Sequence, residues 1–412
     1  MKGNSKKLDL AALASIPLIM TLANSMLIPV LPLMKKELSI TSVQSSLIIT
    51  IYAAVSIVCI PIAGYLSDRF GRKLIIIIGL SLAAVGGLVS GLAAWLLDQH
   101  VYAVIMVGRF IQGIGAAGAF PIVLPLVGDM FDSEEEVSSG LGMIETSNTF
   151  GKVVSPILGS ALALVIWFLP LAVIPVICLI SVAAVIFWVK APKQKKTEQS
   201  LKDFVTSLKS ILAEKGKWLY AIFAIGGIAM FVMFGFLYYL SSVLEDHYKI
   251  DGIYKGLLLA IPLSAICLAS FITGKIVGEK KLRMKWFTFA GVTILAACML
   301  ACGLLNSKSL FILLTFMFAS GAGIGMALPS LDALITEGIE KKQRGTITSL
   351  YSSMRFIGVA LGPLIASVML SREELLFYLF AGSAIVCCLL SLFAIKPKQS
   401  DTSSAVPAAT KP

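Results

Sequence analysis

The sequence predicts an all-α, polytopic membrane protein, with twelve transmembrane helices in two pseudo-symmetric six-helix bundles, and three observations carry that expectation. The 412 residues are 58% hydrophobic and only 14% charged, whereas soluble domains are roughly half apolar and a quarter charged. Apolar runs of about 20 residues, enough to cross a hydrocarbon core of roughly 30 Å, recur along the chain. An internal repeat relates the second half of these runs to the first. Helices are required because lipid gives the backbone no hydrogen-bond partner, and the runs are too long and continuous for the alternating strands of a barrel.

Taken in order, the expected spans lie near 11–33, 43–64, 74–96, 101–127, 138–163, 165–189, 217–241, 254–276, 286–306, 309–335, 345–370 and 374–395. The first run follows Lys2, Lys6 and Lys7, yet it contains Pro17, Pro29 and Pro32 and lacks a small-residue cleavage site, so it reads as a retained span rather than a signal peptide. The longest polar stretch divides the chain into bundles 1–189 and 217–412, joined by a linker at 190–216. Phe204, Leu208, Ile211 and Leu212 in that linker have the spacing of a short amphipathic helix lying on the membrane surface. Within the halves, GIGAAGAFPIVLPLVGDMF from Gly113 parallels GAGIGMALPSLDALITEGI from Gly321, and SPILGS from Ser155 parallels GPLIAS from Gly362. Parallel repeats of this size are the architecture of transporters whose halves rock about a central site.

The net charge of +11 does not point to nucleic acid, because the basic residues sit in short segments between apolar runs rather than on one face. Of the 34 Lys and Arg, 25 fall on one side of the expected spans, the side that holds both termini. The positive-inside rule therefore predicts cytoplasmic termini in a plasma or inner membrane. Lys35, Lys36, Lys249, Lys255, Lys308 and Arg372 are expected in outer loops. All seven cysteines lie in expected spans and both histidines, His100 and His247, lie outside them, so neither a disulfide framework nor a metal site is foreseen. Without a Ser/His, Cys/His or HExxH arrangement the chain is not expected to be an enzyme, and no cofactor is expected.

The segment GYLSDRFGRKL, Gly64–Leu74, matches the loop signature G-x-L-x-D-R-x-G-R-R/K at each defining position. The chain resembles the major facilitator superfamily over nearly its whole length. Three further segments resemble its twelve-span drug:proton antiporter branch: NSMLIPVLP at Asn24, RFIQGIGAA at Arg109 and GKVVSPILGS at Gly151. The last departs from G-x-x-x-G-P-x-x-G-G by carrying Ser155 and Ser160 in place of glycines, and the second-half copy of the loop, at Gly274, has Gly278 where the acid would stand. The resemblance implies a secondary transporter that alternates access, working by itself as a monomer in the bilayer. The span 5 pattern is associated with export.

Gly64, Asp68, Arg69, Gly71, Arg72 and Asp129 are the expected cytoplasmic gate. Gly64 would allow close helix approach, Gly71 a tight turn, and Asp68 and Asp129 would pair with Arg69 or Arg72. Either these charges latch the inner face in one state, or they only fix topology. Within the spans, where ionisable groups are expensive and default to functional hypotheses, stand Arg109, Glu145, Lys152, Asp332 and Arg355. Glu145, Asn148, Thr149 and Lys152 form one helical stripe about 10 Å long. Glu145 is the first expected proton-coupling residue and Asp332 the second, with Arg109 a relay or an anchor; a permanently paired structural salt bridge is the competing reading of both acids. Span 1 provides Asn24 but no acid, so no coupling group is expected there.

The expected substrate cavity comprises Asn24, Gln112, Asn148, Lys152, Phe231, Phe234, Tyr238 and Arg355. The soft and flat side chains of span 7 suit amphipathic organic compounds, cations among them, and equally a metabolite or siderophore, although most of those side chains are expected to meet lipid or neighbouring helices. The resulting expectation is export of drugs or related amphipathic metabolites in exchange for protons, with sodium not excluded. The rivals are an uptake symporter of the same fold and a non-transporting sensor or scaffold.

Overall fold

The computed structural model describes residues 2–131, 134–191, 206, 216–277, 281–305, 309–339 and 341–395. Phe204, Leu208, Ile211 and Leu212 of the expected linker helix, and Gly278, lie outside the described residues. Twelve helices are long and apolar enough to cross a membrane, and no strand occurs among the described residues. They are α1 (Leu8–Glu37), α2 (Ser42–Phe70), α3 (Arg72–Leu96), α4 (Val101–Met130), α5 (Glu134–Val165) and α6 (Leu169–Trp188) in the first bundle. The second holds α7 (Lys217–Asp246), α8 (Gly252–Val277), α9 (Lys281–Leu305), α10 (Leu310–Gly338), α11 (Lys341–Met369) and α12 (Glu373–Phe393).

The repeat seen in the sequence is a repeat of contacts. In the first bundle α3 packs on α4 and α6, α2 on α4, and α1 on α5; in the second α9 packs on α10 and α12, α8 on α10, and α7 on α11. One pair of these crossings has the same cause in both halves. A Cβ on Gly79 would come within 2.7 Å of the Gly115 carbonyl oxygen, and one on Gly291 would collide with the carbonyl of Gly323, so both helix pairs meet backbone to backbone. Two seams join the bundles, α2 against α11 and α5 against α8, each the pseudo-symmetric mate of the other.

Helix α1 passes Pro17 unbroken but breaks around Pro29. It is regular to Ser25, forms a 3₁₀ turn over Ile28–Val30 and resumes from Leu31 to Glu37. Pro32 has no N–H to give the Ile28 carbonyl, and that oxygen accepts from the Leu31 N–H of the 3₁₀ turn and from Ser241 Oγ of α7 at 3.0 Å. Ser45 Oγ of α2 donates to the Leu31 carbonyl at 2.8 Å. The broken helix end thus becomes a docking point for both bundles. At α2 the start is fixed by a capping box, Thr41 with Gln44.

Candidate functional site

Four polar constellations interrupt the apolar interior. The first lies where α5 faces α10 and α11, and it joins residues from both bundles. The Glu145 carboxylate accepts from Asn148 Nδ2 at 3.2 Å, and Asn148 Oδ1 accepts from Thr21 Oγ1 of α1 at 2.7 Å. Across the seam Arg355 Nη1 is 3.8 Å from Asp332 Oδ1, with the Tyr351 ring beneath the guanidinium and its hydroxyl beside the carboxylate. Lys152 stands in the electrostatic field of Glu145, Asp332 and Arg355 together. Helical spacing had placed Glu145, Asn148 and Lys152 on one stripe; the structure sets that stripe opposite Asp332 and Arg355.

Adjoining this cluster at Lys152, a cavity is lined from both bundles, by Ser25 and Ile28 of α1, Lys152, Ser155 and Pro156 of α5, Met233, Phe234 and Leu237 of α7, and Leu259 and Leu263 of α8. Lys152 and Phe234 are therefore cavity residues. Phe231 is not among the lining residues; its ring meets Phe380 edge to face at 5.4 Å inside the second bundle. Tyr238 is buried and donates across the seam to the Ser42 carbonyl at 2.9 Å, which makes it a contact between bundles rather than a wall of this cavity.

The second constellation encloses Arg109, which is wholly buried. Its Nε donates to the Ile48 carbonyl at 2.9 Å, Nη1 to Gln112 Oε1 at 2.6 Å and Nη2 to Asn24 Oδ1 at 2.7 Å, and its guanidinium sits 4.5 Å above the Tyr52 ring. Asn24 and Gln112, expected as cavity residues, are spent on this cage. Every partner is neutral and belongs to the first bundle.

The third is the signature segment. It is scarcely a loop: α2 continues to Phe70, α3 begins at Arg72, and the single joint residue Gly71 has φ of +101°, a conformation that L side chains rarely adopt. Arg72 holds Asp129 of α4 at 2.7 Å and Asp68 at 3.4 Å, and also donates to the Pro125 carbonyl. Arg69 lies by the Tyr65 hydroxyl and the Phe70 ring. These pairs tie α2, α3 and α4 of one bundle to each other. The contact made across the seam at this end is instead that of Gly64, where a Cβ would stand 3.4 Å from Ser349 Oγ of α11.

The fourth constellation escapes the sequence reading. Lys255, expected in an outer loop, lies in the first turn of α8 with its side chain 2% exposed. It holds Glu245 of α7 at 2.7 Å and donates to the Pro29 carbonyl of α1, while Lys36 reaches the same carboxylate at 2.8 Å. With Ser241 on Ile28, Tyr238 on Ser42 and Ser46 hydrogen-bonded to Ser367 at 3.0 Å, this triad fastens the two bundles together at the Lys36 end. Nothing but burial distinguishes Lys255 from a loop lysine, and burial is not written in a lone charge near a helix start.

Comparison with known proteins agrees with this architecture. The family model of the Major Facilitator Superfamily matches residues 13–363 and 256–412. The chain is 52% identical over 395 residues to the bacillibactin exporter of Bacillus subtilis strain 168, covering 95% of this chain and 98% of that one. It is 23% identical to multidrug resistance protein 2 of the same organism, over 97% and 98% of the two chains. The crystal structure of the human organic anion transporter MFSD10 (TETRAN) superimposes with a TM-score of 0.73 at 17% identity, covering 93% of this chain and 99% of that chain. With its twelve helices, paired bundles and full-length matches, the chain belongs to the Major Facilitator Superfamily.

Proposed function

We propose that this protein exports an amphipathic siderophore, with bacillibactin as the first candidate, in exchange for protons. The observation that carries the reading is the 52% identity, over nearly the full length of both chains, to a bacillibactin exporter. The geometry supports it: a cavity lined by helices of both bundles can be opened to either side by rocking, and it sits beside two carboxylates that belong to different bundles. With both termini in the cytoplasm, as the positive-inside count has it, the Lys36 end faces outward and is fastened in this conformation.

Glu145 and Asp332 are assigned the coupling role. Each has a cation of its own bundle beside it, Lys152 or Arg355, and also feels the charges of the other bundle across the seam, whose distance depends on how the bundles are placed, so rocking alters how readily each acid holds a proton. Arg109 is assigned to anchoring α1, α2 and α4, since its partners move with it. The ion pairs of Arg72 keep the inner ends of α2 to α4 together as one moving unit. Multidrug export is the second reading, favoured by the 23% identical relative and the Met233 and Phe234 wall.

Proteoliposomes carrying the full chain test this. Labelled bacillibactin should exchange across the membrane, and an imposed pH gradient should drive it uphill. Glu145→Gln and Asp332→Asn should lose the uphill movement and keep the exchange. Exchange no faster than in empty liposomes removes the siderophore reading, and uphill transport by both variants removes the coupling assignment.

A further inference from the structure

We infer that Lys152 is an anion-recognition point in the cavity between the bundles, so that the exported amphiphile presents an oxygen anion to α5 and a flat apolar body to α7. The inference rests on the export reading and adds the sign of the substrate's charge, which amphipathicity leaves open.

Lys152 is 9% exposed and lines the cavity with Ser25, Ser155, Met233 and Phe234. Among the described residues its ammonium has no carboxylate within 4.0 Å and no hydrogen bond. The nearby acids are engaged elsewhere, Glu145 with Asn148 and Asp332 with Arg355. The same fold shows what a structurally satisfied buried lysine looks like: Lys255, at 2% exposure, holds both a carboxylate and a carbonyl. A buried ammonium without such partners is costly in the empty protein. It is retained at a cavity wall, where an incoming anion would satisfy its three donors.

The surroundings define the ligand further. Ser25 adds a hydroxyl beside Lys152, while that of Ser155 is spent on the Lys152 carbonyl at 3.1 Å, and the ammonium with the Ser25 hydroxyl suits a carboxylate, phenolate or sulfonate oxygen. Phe234 and Met233 line the same space, which in this fastened conformation holds little more than one water, and they suit an aromatic or other flat body once the bundles part. A cationic amphiphile would meet Lys152 without screening by water, so the site selects against the lipophilic cations that the sequence alone left open.

The test is a charge-matched panel against the wild-type protein and two variants, Lys152→Gln and Lys152→Arg. Naphthalene-2-sulfonate, the neutral sulfonamide and the naphthyl trimethylammonium ion compete with labelled bacillibactin in exchange, and their direct binding to the purified full chain is measured in parallel. Wild type should prefer the sulfonate. Lys152→Gln should raise the KM for bacillibactin and weaken the sulfonate by about tenfold or more, leaving the other two probes within about threefold, and Lys152→Arg should restore most of the loss. An unchanged KM and unchanged probe order in Lys152→Gln, or a wild-type preference for the ammonium ion, overturns the inference. If wild type carries no bacillibactin, the siderophore reading fails by itself, and the binding panel still decides the charge preference.

Discussion

Arg109 and Lys152 are both cations buried in the membrane part of the first bundle, and the protein treats them in opposite ways. Arg109 is caged by Asn24, Gln112, the Ile48 carbonyl and the Tyr52 ring, drawn from α1, α2 and α4. Lys152 has a cavity in front of it and charges at a distance. Sequence rules assign both to function because an ionisable group in a span is expensive. The difference teaches that expense alone does not separate an anchor from a site; what separates them is whether neighbours already occupy every donor.

The largest effect expected from that contrast is at Arg109. Arg109→Leu leaves the Asn24, Gln112 and Ile48 oxygens buried without a donor, at about 1–3 kcal/mol each. Folded yield should fall sharply and thermal unfolding in detergent should move down by many degrees. Arg109→Lys supplies a point charge in place of a fork and should recover only part of this. A stable Arg109→Leu protein that had lost transport alone would move Arg109 from the anchors to the site.

Second comes Glu245→Gln, because it strands Lys255, the paired counterpart of Lys152. Removing one partner of a buried pair costs about 3–5 kcal/mol, and here part of that is recovered by opening the Lys36 end, where Lys255 can reach water. Cysteines placed at the Lys36 end should therefore react faster with a membrane-impermeant thiol reagent in this variant than in the parent. Equal reaction rates would show that the triad does not hold this conformation.

A smaller effect belongs to Gly71→Ala. The joint between α2 and α3 requires φ of +101°, and a Cβ there meets no neighbour within 4 Å. The penalty is therefore conformational only, about 1–2 kcal/mol. A modest fall in melting temperature with transport kept is the outcome to look for in a thermal-shift and exchange assay. A fully active protein with unchanged melting would mean that the joint relaxes to an ordinary conformation.

These cases mark how far the sequence reaches. The spans, the repeat and the stripe Glu145–Lys152 were legible because hydropathy and a 3.6-residue period act within one helix. The facing of Glu145 and Lys152 toward Asp332 and Arg355 was legible only as a shared polarity, since the seam that brings α5 near α10 and α11 depends on packing across nearly 200 residues of chain. Lys255 and Glu245 were missed for the same reason. Each is an ordinary charge at a helix end until the broken α1, with its free carbonyls, is folded over them. Phe231 and Phe234 are three residues apart on α7 yet turn toward Phe380 and the cavity respectively, a distinction the aromatic density of the span does not contain.

The smallest expected change in stability is also the most discriminating, because it has the opposite sign to that at Arg109. Lys152→Met removes a buried ammonium that has no close partner and replaces it with a flexible apolar chain of similar length. The empty protein should therefore gain stability, by about 1 kcal/mol once imperfect packing is counted against the relieved desolvation. Arg109→Leu and Lys152→Met are the same kind of substitution, cation to aliphatic in a buried position, and they should move the melting temperature in opposite directions. A clear fall for Lys152→Met would mean that Glu145 and Asp332 already hold the ammonium in the empty protein, and Lys152 would then join Arg109 as part of the frame. A rise accompanied by loss of anion transport would show a charge kept against the interest of stability, which is what a binding site in a low-dielectric cavity requires.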